Sequence, residues 1–206
     1  LSGNIVDATS RYNLANLARN RGKDPEQVQI FRRLLDNLRL DARLADRVAN
    51  FVAQGQQIVA PVDQQGEGGS SGEGGGGGGS GGGGVTSTLS PVPPVNGIPI
   101  PVLQVDDLLA VQGVTPEVMA RLRPFVIVLP DRTEATKLNV NTVPAELLSA
   151  IVPGMSLSQA NSLVARRKTA AWRTQADFSS QAANNQQLDD TWDIKSSWFI
   201  VQSRIR

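Results

Sequence analysis

Apolar residues recur at helical spacing soon after the start of the chain. The stripe consists of Val28, Phe31, Leu34, Leu35 and Leu38. These positions fall on one face of a helix with 3.6 residues per turn. Asp24 is a suitable N-cap and Pro25 suits the first helical position, while Gln27 would complete a capping box with Asp24. The pattern therefore predicts an amphipathic helix that begins at Pro25 and buries one face.

A second amphipathic stretch follows after a short connection. It runs from Asp41 through Leu44, Val48 and Val52 toward Gly55, where a glycine favours the end of a helix. Because the connection is short, we expect the two helices to pack antiparallel. Neither helix would be stable alone at this length, so each needs the other or a further partner.

Capping residues mark five further helix starts in the second half of the chain. These starts are Asp106 or Asp107, Thr115 with Pro116, Thr142 with Pro144, Ser156 with Gln159, and Thr174 with Asp177. Each pattern places a side-chain acceptor where the first turn has unpaired N–H groups. Gly113 and Gly154 are suited to end the first and third of these helices. The second half is therefore predicted to be mainly helical.

Strand-like sequence lies near both ends of the chain. Ile5 and Val6 stand among polar residues near the start, and "SSWFIVQSRI" near the end is rich in aromatic and β-branched side chains. The first strand needs a pairing partner from elsewhere in the chain. The sequence thus predicts an α+β fold in which helices lie between two terminal strands.

The middle of the chain changes abruptly in composition. The stretch "QQGEGGSSGEGGGGGGSGGGG" offers no side chains to bury, and we expect a flexible loop. The following "SPVPPVNGIPIP" is expected to be a stiff extended return, with a polyproline ligand for a partner groove as the alternative. These changes divide the chain into strand and turn 1–13, helical part 14–60, loop 61–101, helical part 102–188 and returning strand 189–206.

Composition narrows the possible chemistry. The chain has 20 basic and 19 acidic residues, a net charge of +1, and neither cysteine nor histidine. Disulfides, thiolate nucleophiles, imidazole bases and the usual zinc ligand sets are therefore excluded. Strong nonspecific binding to nucleic acid is not expected at this net charge. The chain starts at Leu1 rather than Met, so we expect any export signal or membrane anchor to lie upstream.

One stretch admits a DNA-binding interpretation. In "IVPGMSLSQANSLVARRK" a Pro-Gly turn leads into a capped helix, as in helix-hairpin-helix modules. Backbone amides near Gly154 would then contact a phosphate, with Arg166, Arg167 and Lys168 adding charge. The alternative is a packed hairpin whose cations stabilise the helix C-terminus. Ser156 stands where such modules usually have a second glycine, which favours the packed hairpin.

Candidate catalytic groups are few. The close carboxylate groupings are formed by Asp106, Asp107, Asp189, Asp190 and Asp193. Carboxylates can serve acid–base or hard-metal chemistry, which leaves a carboxylate-based hydrolase as a hypothesis. A helix start for the first two residues and a solvated turn for the other three are simpler roles.

Several polar and aromatic residues are expected to be structural. Asn139 and Asn141 flank Val140 in a turn, where side-chain amides commonly bond to backbone groups that the turn leaves unpaired. The tryptophans are expected in the core rather than stacked on a ligand. They are Trp172, Trp192 and Trp198.

A set of ordered motifs resembles the minor pseudopilin K family of type II secretion systems. The motifs are "DATSRYNLANL", "RLRPFVIVLP", "LNVNTVPAELLSAIV", "SLSQANSLVARR", "TQADF" and "WFIVQSRI". The resemblance implies a pilin-like antiparallel sheet with a large helical insertion resembling helix-hairpin-helix or SAM-like helices. It also implies an N-terminal transmembrane helix that is absent from this sequence. The motif residues expected to be structural are Asn13, Asn139, Asn141, Thr142, Gly154, Arg166 and Arg167.

The resemblance also implies a function. Members of this family are not known for catalysis or for binding DNA; they cap the periplasmic pseudopilus and assemble with minor pseudopilins I and J into a tip complex. The chain is then expected to be the periplasmic domain of a protein inserted in the inner membrane of a Gram-negative bacterium. The runner-up is an exported DNA-binding protein of the DNA-uptake type.

One departure concerns calcium. The family typically has an Asp-rich calcium-binding stretch after its second insertion helix, where this chain has only Asp63 and Glu67 before the glycine run. Ca²⁺ takes six to eight oxygen ligands, several of them from carboxylates. We therefore expect neither this metal site nor any other required cofactor.

Overall fold

The computed structural model describes residues 2–20, 22–56, 101–130, 134–182 and 190–204. These ranges contain six α-helices and eight short strands, joined by 3₁₀ turns. The helices are α1 Pro25–Asn37, α2 Leu44–Gln56, α3 Pro116–Leu122, α4 Ala145–Ile151, α5 Leu157–Arg167 and α6 Gln175–Ala182. The strands are β1 Ser2–Asp7, β2 Tyr12–Asn13, β3 Ala18–Arg19, β4 Gly22–Lys23, β5 Val126–Ile127, β6 Leu138–Asn139, β7 Trp192–Asp193 and β8 Phe199–Arg204.

The two terminal strands pair with each other. β1 and β8 form an antiparallel ladder that runs from Ser2 opposite Arg204 to Asp7 opposite Phe199. All six helices lie between these strands in the chain. The predicted α+β arrangement, with helices inserted between terminal strands, is therefore confirmed. The remaining strands form three two-residue pairs, β2–β5, β3–β4 and β6–β7.

The helices share one hydrophobic core. α1 packs against α2 and α4, and α4 packs against α5, so both predicted helical parts contribute to that core. Phe31 of α1 is fully buried and stacks on Tyr12, with ring centroids 5.6 Å apart. We call α1–α6 and this core the helical body. No helix in the described ranges is long and apolar enough to span a bilayer.

The caps of α1 agree with the prediction only in part. The Asp24 carboxylate accepts hydrogen bonds from Glu26 N and Gln27 N, as expected of an N-cap. The reciprocal half of the capping box is missing. The backbone N–H of Asp24 donates instead to the Leu17 carbonyl, and Gln27 Oε1 accepts from the Tyr12 hydroxyl. A tertiary contact therefore replaces the local one.

Three helix starts differ from the sequence prediction. α2 begins at Leu44 rather than near Asp41, because the Asp41 carboxylate caps only Arg43 N at the turn before it. The helix near Asp106 is a 3₁₀ helix, Val105–Ala110, with Gln104 as its N-cap. Thr142 does not cap α4, which begins after Pro144. The Thr142 hydroxyl instead donates to the carboxylate of Asp7, 135 positions away in the chain.

The other capping predictions hold. Thr115 Oγ1 accepts from Val118 N at the start of α3. Ser156 and Gln159 form a complete capping box at α5. Thr174 and Asp177 bond each other's backbone N–H at α6. The predicted loop 61–101, except Pro101, lies outside the described residues, as do Asp63, Glu67 and Asp189.

Candidate functional site

The ladder of β1 and β8 exposes a row of apolar side chains. Ile5 lies directly opposite Val201, and Phe199 lies two residues away on the same face. Their relative exposures are 68%, 71% and 58%. A contiguous exposed apolar patch is a mark of an interaction surface. This face is therefore the first candidate for contact with another polypeptide.

The ladder also has open edges. Among the described residues β1 pairs only with β8, so the outer edge of each strand has no strand partner there. Two-stranded ladders are marginally stable by themselves, and unpaired strand edges readily accept another strand. Both features make the edges of the ladder suited to pairing with a further strand.

A polar junction ties the ladder to the helical body at Asp7. Oδ1 of Asp7 accepts from Thr9 N at 2.8 Å and from Thr9 Oγ1 at 2.7 Å. Oδ2 accepts from Asn139 Nδ2 at 3.1 Å and from the Thr142 hydroxyl. Asn139 Nδ2 also donates to Ser196 Oγ at 2.8 Å. The end of β1 and the connection into β8 are therefore bonded to the same asparagine.

The environment of Asp7 favours its ionised form. Burial raises the pKa of this carboxyl, but hydrogen bonds from Ser196, Thr142 and Thr9 outweigh burial and hold the pKa below its usual value. The hydrogen-bonding groups are neutral. The negative charge is thus stabilised by fixed donors rather than by an ion pair.

The predicted asparagines all bond to backbone or to the junction. Asn13 Oδ1 accepts from Ala15 N and, at 3.0 Å, from Leu129 N. Asn139 Oδ1 accepts from Asn141 N at 2.9 Å. Each side chain thus satisfies backbone groups that the short strands leave unpaired.

The residues of the DNA-binding interpretation do not form one phosphate site. Gly154 adopts a left-handed φ of 74° in the turn before α5. Arg167 is half-buried and donates to the Val140 carbonyl at 2.7 Å, and burial lowers the pKa of its guanidinium. Arg166 and Lys168 are exposed. The three cations therefore lie in different environments, and Arg167 stabilises the fold through its bond to Val140.

The candidate carboxylates are also dispersed. Asp106 pairs with Arg123, and Asp107 accepts from the backbone N–H groups of Leu103 and Gln104. Asp190 pairs with Lys137. Asp193 Oδ1 accepts from the N–H of the next residue at 2.7 Å. Within the described ranges, no group of three or more acidic residues is placed to hold a metal ion.

Two of the three tryptophans lie in the core, as predicted, and the prediction is wrong for Trp198. Trp172 and Trp192 are buried and both contact Phe178, with ring centroids 5.0 Å and 4.7 Å from it. Trp198 is half-buried beside the ladder, where its carbonyl accepts from Ala8 N. The exposed apolar surface of the ladder therefore comes from Ile5, Phe199 and Val201 rather than from tryptophan.

Sequence reasoning missed Asp7 and Asn16. Asn16 Nδ2 donates to the Thr136 carbonyl, and Thr136 N donates back to Asn16 Oδ1, both at 2.9 Å. The partners of both residues lie 120 or more positions away in the chain. Asp7 also has a local role, because its carboxylate caps the 3₁₀ turn after β1 through Thr9.

Two family models match this chain. Both are described as type II secretion system protein K; one matches residues 138–195 and the other residues 10–70 and 87–131. The second model alone covers more than half of the 206 residues, counting 61 plus 45 matched positions. The matched ranges include the Asn139 and Asn141 turn and α1–α6, and of the junction they include Asn139 and Thr142.

Curated proteins of the same description are similar to this chain. Type II secretion system protein K of Pectobacterium carotovorum subsp. carotovorum is 26% identical over 222 residues, which cover 100% of this chain and 62% of that protein. The Dickeya chrysanthemi protein is 34% identical over 110 residues, covering 50% of this chain and 30% of its own length. The chain thus spans less than two thirds of the length of these relatives.

One solved structure is also similar. It is the crystal structure of the GspK-GspI-GspJ complex from the enterotoxigenic Escherichia coli type 2 secretion system. The match has 17% sequence identity and a TM-score of 0.46, and it covers 97% of this chain and 67% of that chain.

Proposed function

This chain belongs to the type II secretion system protein K family, and we propose that it is the body of a minor pseudopilin at the tip of the pseudopilus. The observation that carries the proposal is the family match over residues 10–70, 87–131 and 138–195. A structural subunit of this kind needs surfaces for its neighbours rather than a reaction centre. The exposed ladder face and the compact helical body meet that need.

We propose that GspI and GspJ of the same system are its direct partners. The ladder face presents Ile5, Phe199 and Val201, which gain most by being covered in an assembled state. The helical body would then lie beside the sheet that the assembled subunits form. Its volume would exclude a further subunit above it, which suits a terminal position in a filament.

The chemistry of the described residues supports a structural role. The chain has no histidine or cysteine, and the described candidates Asp106, Asp107, Asp190 and Asp193 are engaged in caps, turns and surface ion pairs. We propose that the protein acts without catalysis and without a required cofactor, calcium included. Its proposed place is the periplasm, held there by an anchor in the inner membrane.

Binding to an immobilised GspI–GspJ pair tests this function. We expect the wild-type chain to bind and the ladder-face variant Val201→Lys to bind at least tenfold more weakly, since a charge would be buried. Gln202→Lys, which changes the neighbouring position on the opposite face of β8, is the matched control. Equal affinities of the two variants would contradict the role of this face, and absence of wild-type binding would contradict the function.

A further inference from the structure

We propose that Asp7 acts as a latch that fixes the orientation of the β1–β8 ladder relative to the helical body. The proposal goes beyond the proposed function, because it concerns how two parts of one chain are held together. Where the chain does act in a filament tip, the same latch sets the direction in which the helical body projects from the sheet.

Apolar packing does not hold the ladder in place. No residue of β1 or β8 belongs to the hydrophobic core of the described chain or to the half-buried apolar residues packed against it. Apart from Val6, Asp7 and Ile200, every ladder position is exposed. Close packing is what normally resists rotation of one element against another. The orientation of the ladder must therefore depend on its polar contacts and on its two chain connections.

The two oxygens of Asp7 serve different parts of the molecule. Oδ1 is bonded to Thr9, which follows β1 in the same segment. Oδ2 is bonded to Asn139 and Thr142, which belong to the helical body side of the junction. Asn139 is itself buried and anchored through its bond from Asn141 N. One carboxylate thus bridges the segment that follows β1 and the segment that leads from β6 to α4.

The second chain connection reaches the same anchor. Asn139 Nδ2 donates to Ser196 Oγ, three residues before β8 begins. Both connections between ladder and body are therefore bonded to Asn139, through Asp7 at the end of β1 and through Ser196 before β8. Loss of the Asp7 bonds would remove the link from the end of β1 to Asn139 and Thr142 and leave the Asn139–Ser196 bond in place.

A carboxylate suits this role better than an amide. Donors from Thr9, Asn139, Thr142 and Ser196 approach the two oxygens of Asp7, and an ionised carboxylate can accept them all. An asparagine would keep one acceptor oxygen and place an NH₂ group against the donors on the other side. Hydrogen bonds to an ionised acceptor are also roughly twice as strong as neutral ones. Asp7→Asn therefore breaks the latch at nearly constant size.

Distances between spin labels on the ladder and on the body test the latch. The chain contains no cysteine, so cysteines introduced at the exposed positions Gln202 and Ala120 are the sole labelling sites. Electron–electron double resonance then gives the distribution of ladder-to-body distances. We expect a single narrow distribution for the otherwise wild-type chain.

Three variants distinguish a latch from general loosening. Asp7→Asn and Thr142→Val should at least double the width of the distribution or add a second maximum. Thr9→Val removes a hydroxyl that donates to the same carboxylate, but it leaves the bonds from Asp7 to Asn139 and Thr142 in place. The distribution should therefore stay narrow. Thr142 is exposed, so Thr142→Val tests the latch even where Asp7→Asn unfolds. Narrow distributions in Thr142→Val and folded Asp7→Asn would overturn the proposal, as would equal broadening in all three variants.

Discussion

The side chain of Asn141 brackets the backbone of Trp172 with two hydrogen bonds. Nδ2 donates to the Trp172 carbonyl at 3.0 Å, and Oδ1 accepts from Trp172 N at 2.9 Å. Asn16 brackets Thr136 in the same way. An asparagine side chain thereby takes the place of a neighbouring strand, which satisfies a backbone segment that no ladder reaches.

Removing the Asn141 bracket should destabilise the fold. Asn141→Leu keeps a similar volume but leaves the N–H and carbonyl of Trp172 without partners, and each unsatisfied buried group costs about 1–3 kcal/mol. We expect a decrease of at least about 1 kcal/mol in the free energy of unfolding, measured by urea titration followed by circular dichroism. Asn161→Leu, on the exposed face of α5, is the control and should change stability by no more than about 0.5 kcal/mol.

Gly113 and Gly154 should differ in their tolerance of alanine. Both have positive φ, 92° and 74°, which costs a residue with a Cβ about 1–2 kcal/mol. A Cβ at Gly113 would also lie 2.7 Å from Arg47 Nη1 and 3.1 Å from Leu44 Cδ2. A Cβ at Gly154 would have no such neighbour within 4 Å. Thermal melts should therefore show the larger loss for Gly113→Ala. A larger loss for Gly154→Ala would contradict this geometry.

The basic cluster at the end of α5 should separate into structural and surface residues. Arg167→Met removes the bond to the Val140 carbonyl, and a half-buried charged hydrogen bond is worth about 1.5–3 kcal/mol. The double variant Arg166→Ala, Lys168→Ala changes exposed side chains and should leave the melting temperature nearly unchanged. Duplex DNA titrated at low salt should not bind the wild-type chain or the double variant through these cations. Salt-sensitive binding that the double variant abolishes would revive the DNA-binding hypothesis.

Asp7 should make stability depend on pH. Its folded-state pKa lies below the ordinary value of 3.8, so the ionised carboxylate stabilises the folded chain above that value. The contribution is lost as pH falls through the folded-state pKa. Urea titrations of wild type and Asp7→Asn at about pH 7 and about pH 3 isolate this group from the other acids. The difference between the two proteins should be larger near neutral pH, and a pH-independent difference would show that the charge is not involved.

Local chemistry explains what the sequence predicts well. The caps at Ser156 with Gln159 and Thr174 with Asp177 join atoms three residues apart, so the pattern itself contains both partners. The apolar stripe of α1 is likewise complete within one segment. The strand character of the two ends was also readable, and the first strand was expected to need a partner, but only the structure identifies β8 as that partner.

Long-range polar contacts explain what sequence reasoning missed. Thr142 was expected to cap a helix, but its hydroxyl reaches Asp7, 135 positions away. Gln27 was expected to complete a capping box, but its side-chain oxygen accepts a hydrogen bond from the Tyr12 hydroxyl instead. In both cases a tertiary partner competes with a local one of similar hydrogen-bond strength, and the folded chain brings the tertiary partner closer. The Asp7 junction and the Asn16 bracket depend on such partners, so no local pattern contains them.

The mass of the complex formed with GspI and GspJ tests the central claim most directly. Size-exclusion chromatography with light scattering would be run on this chain mixed with the soluble domains of both partners, once with calcium and once with a chelator. The proposed function predicts one peak with the mass of a one-to-one-to-one complex under both conditions. Elution of this chain as a separate monomer under both conditions would contradict it.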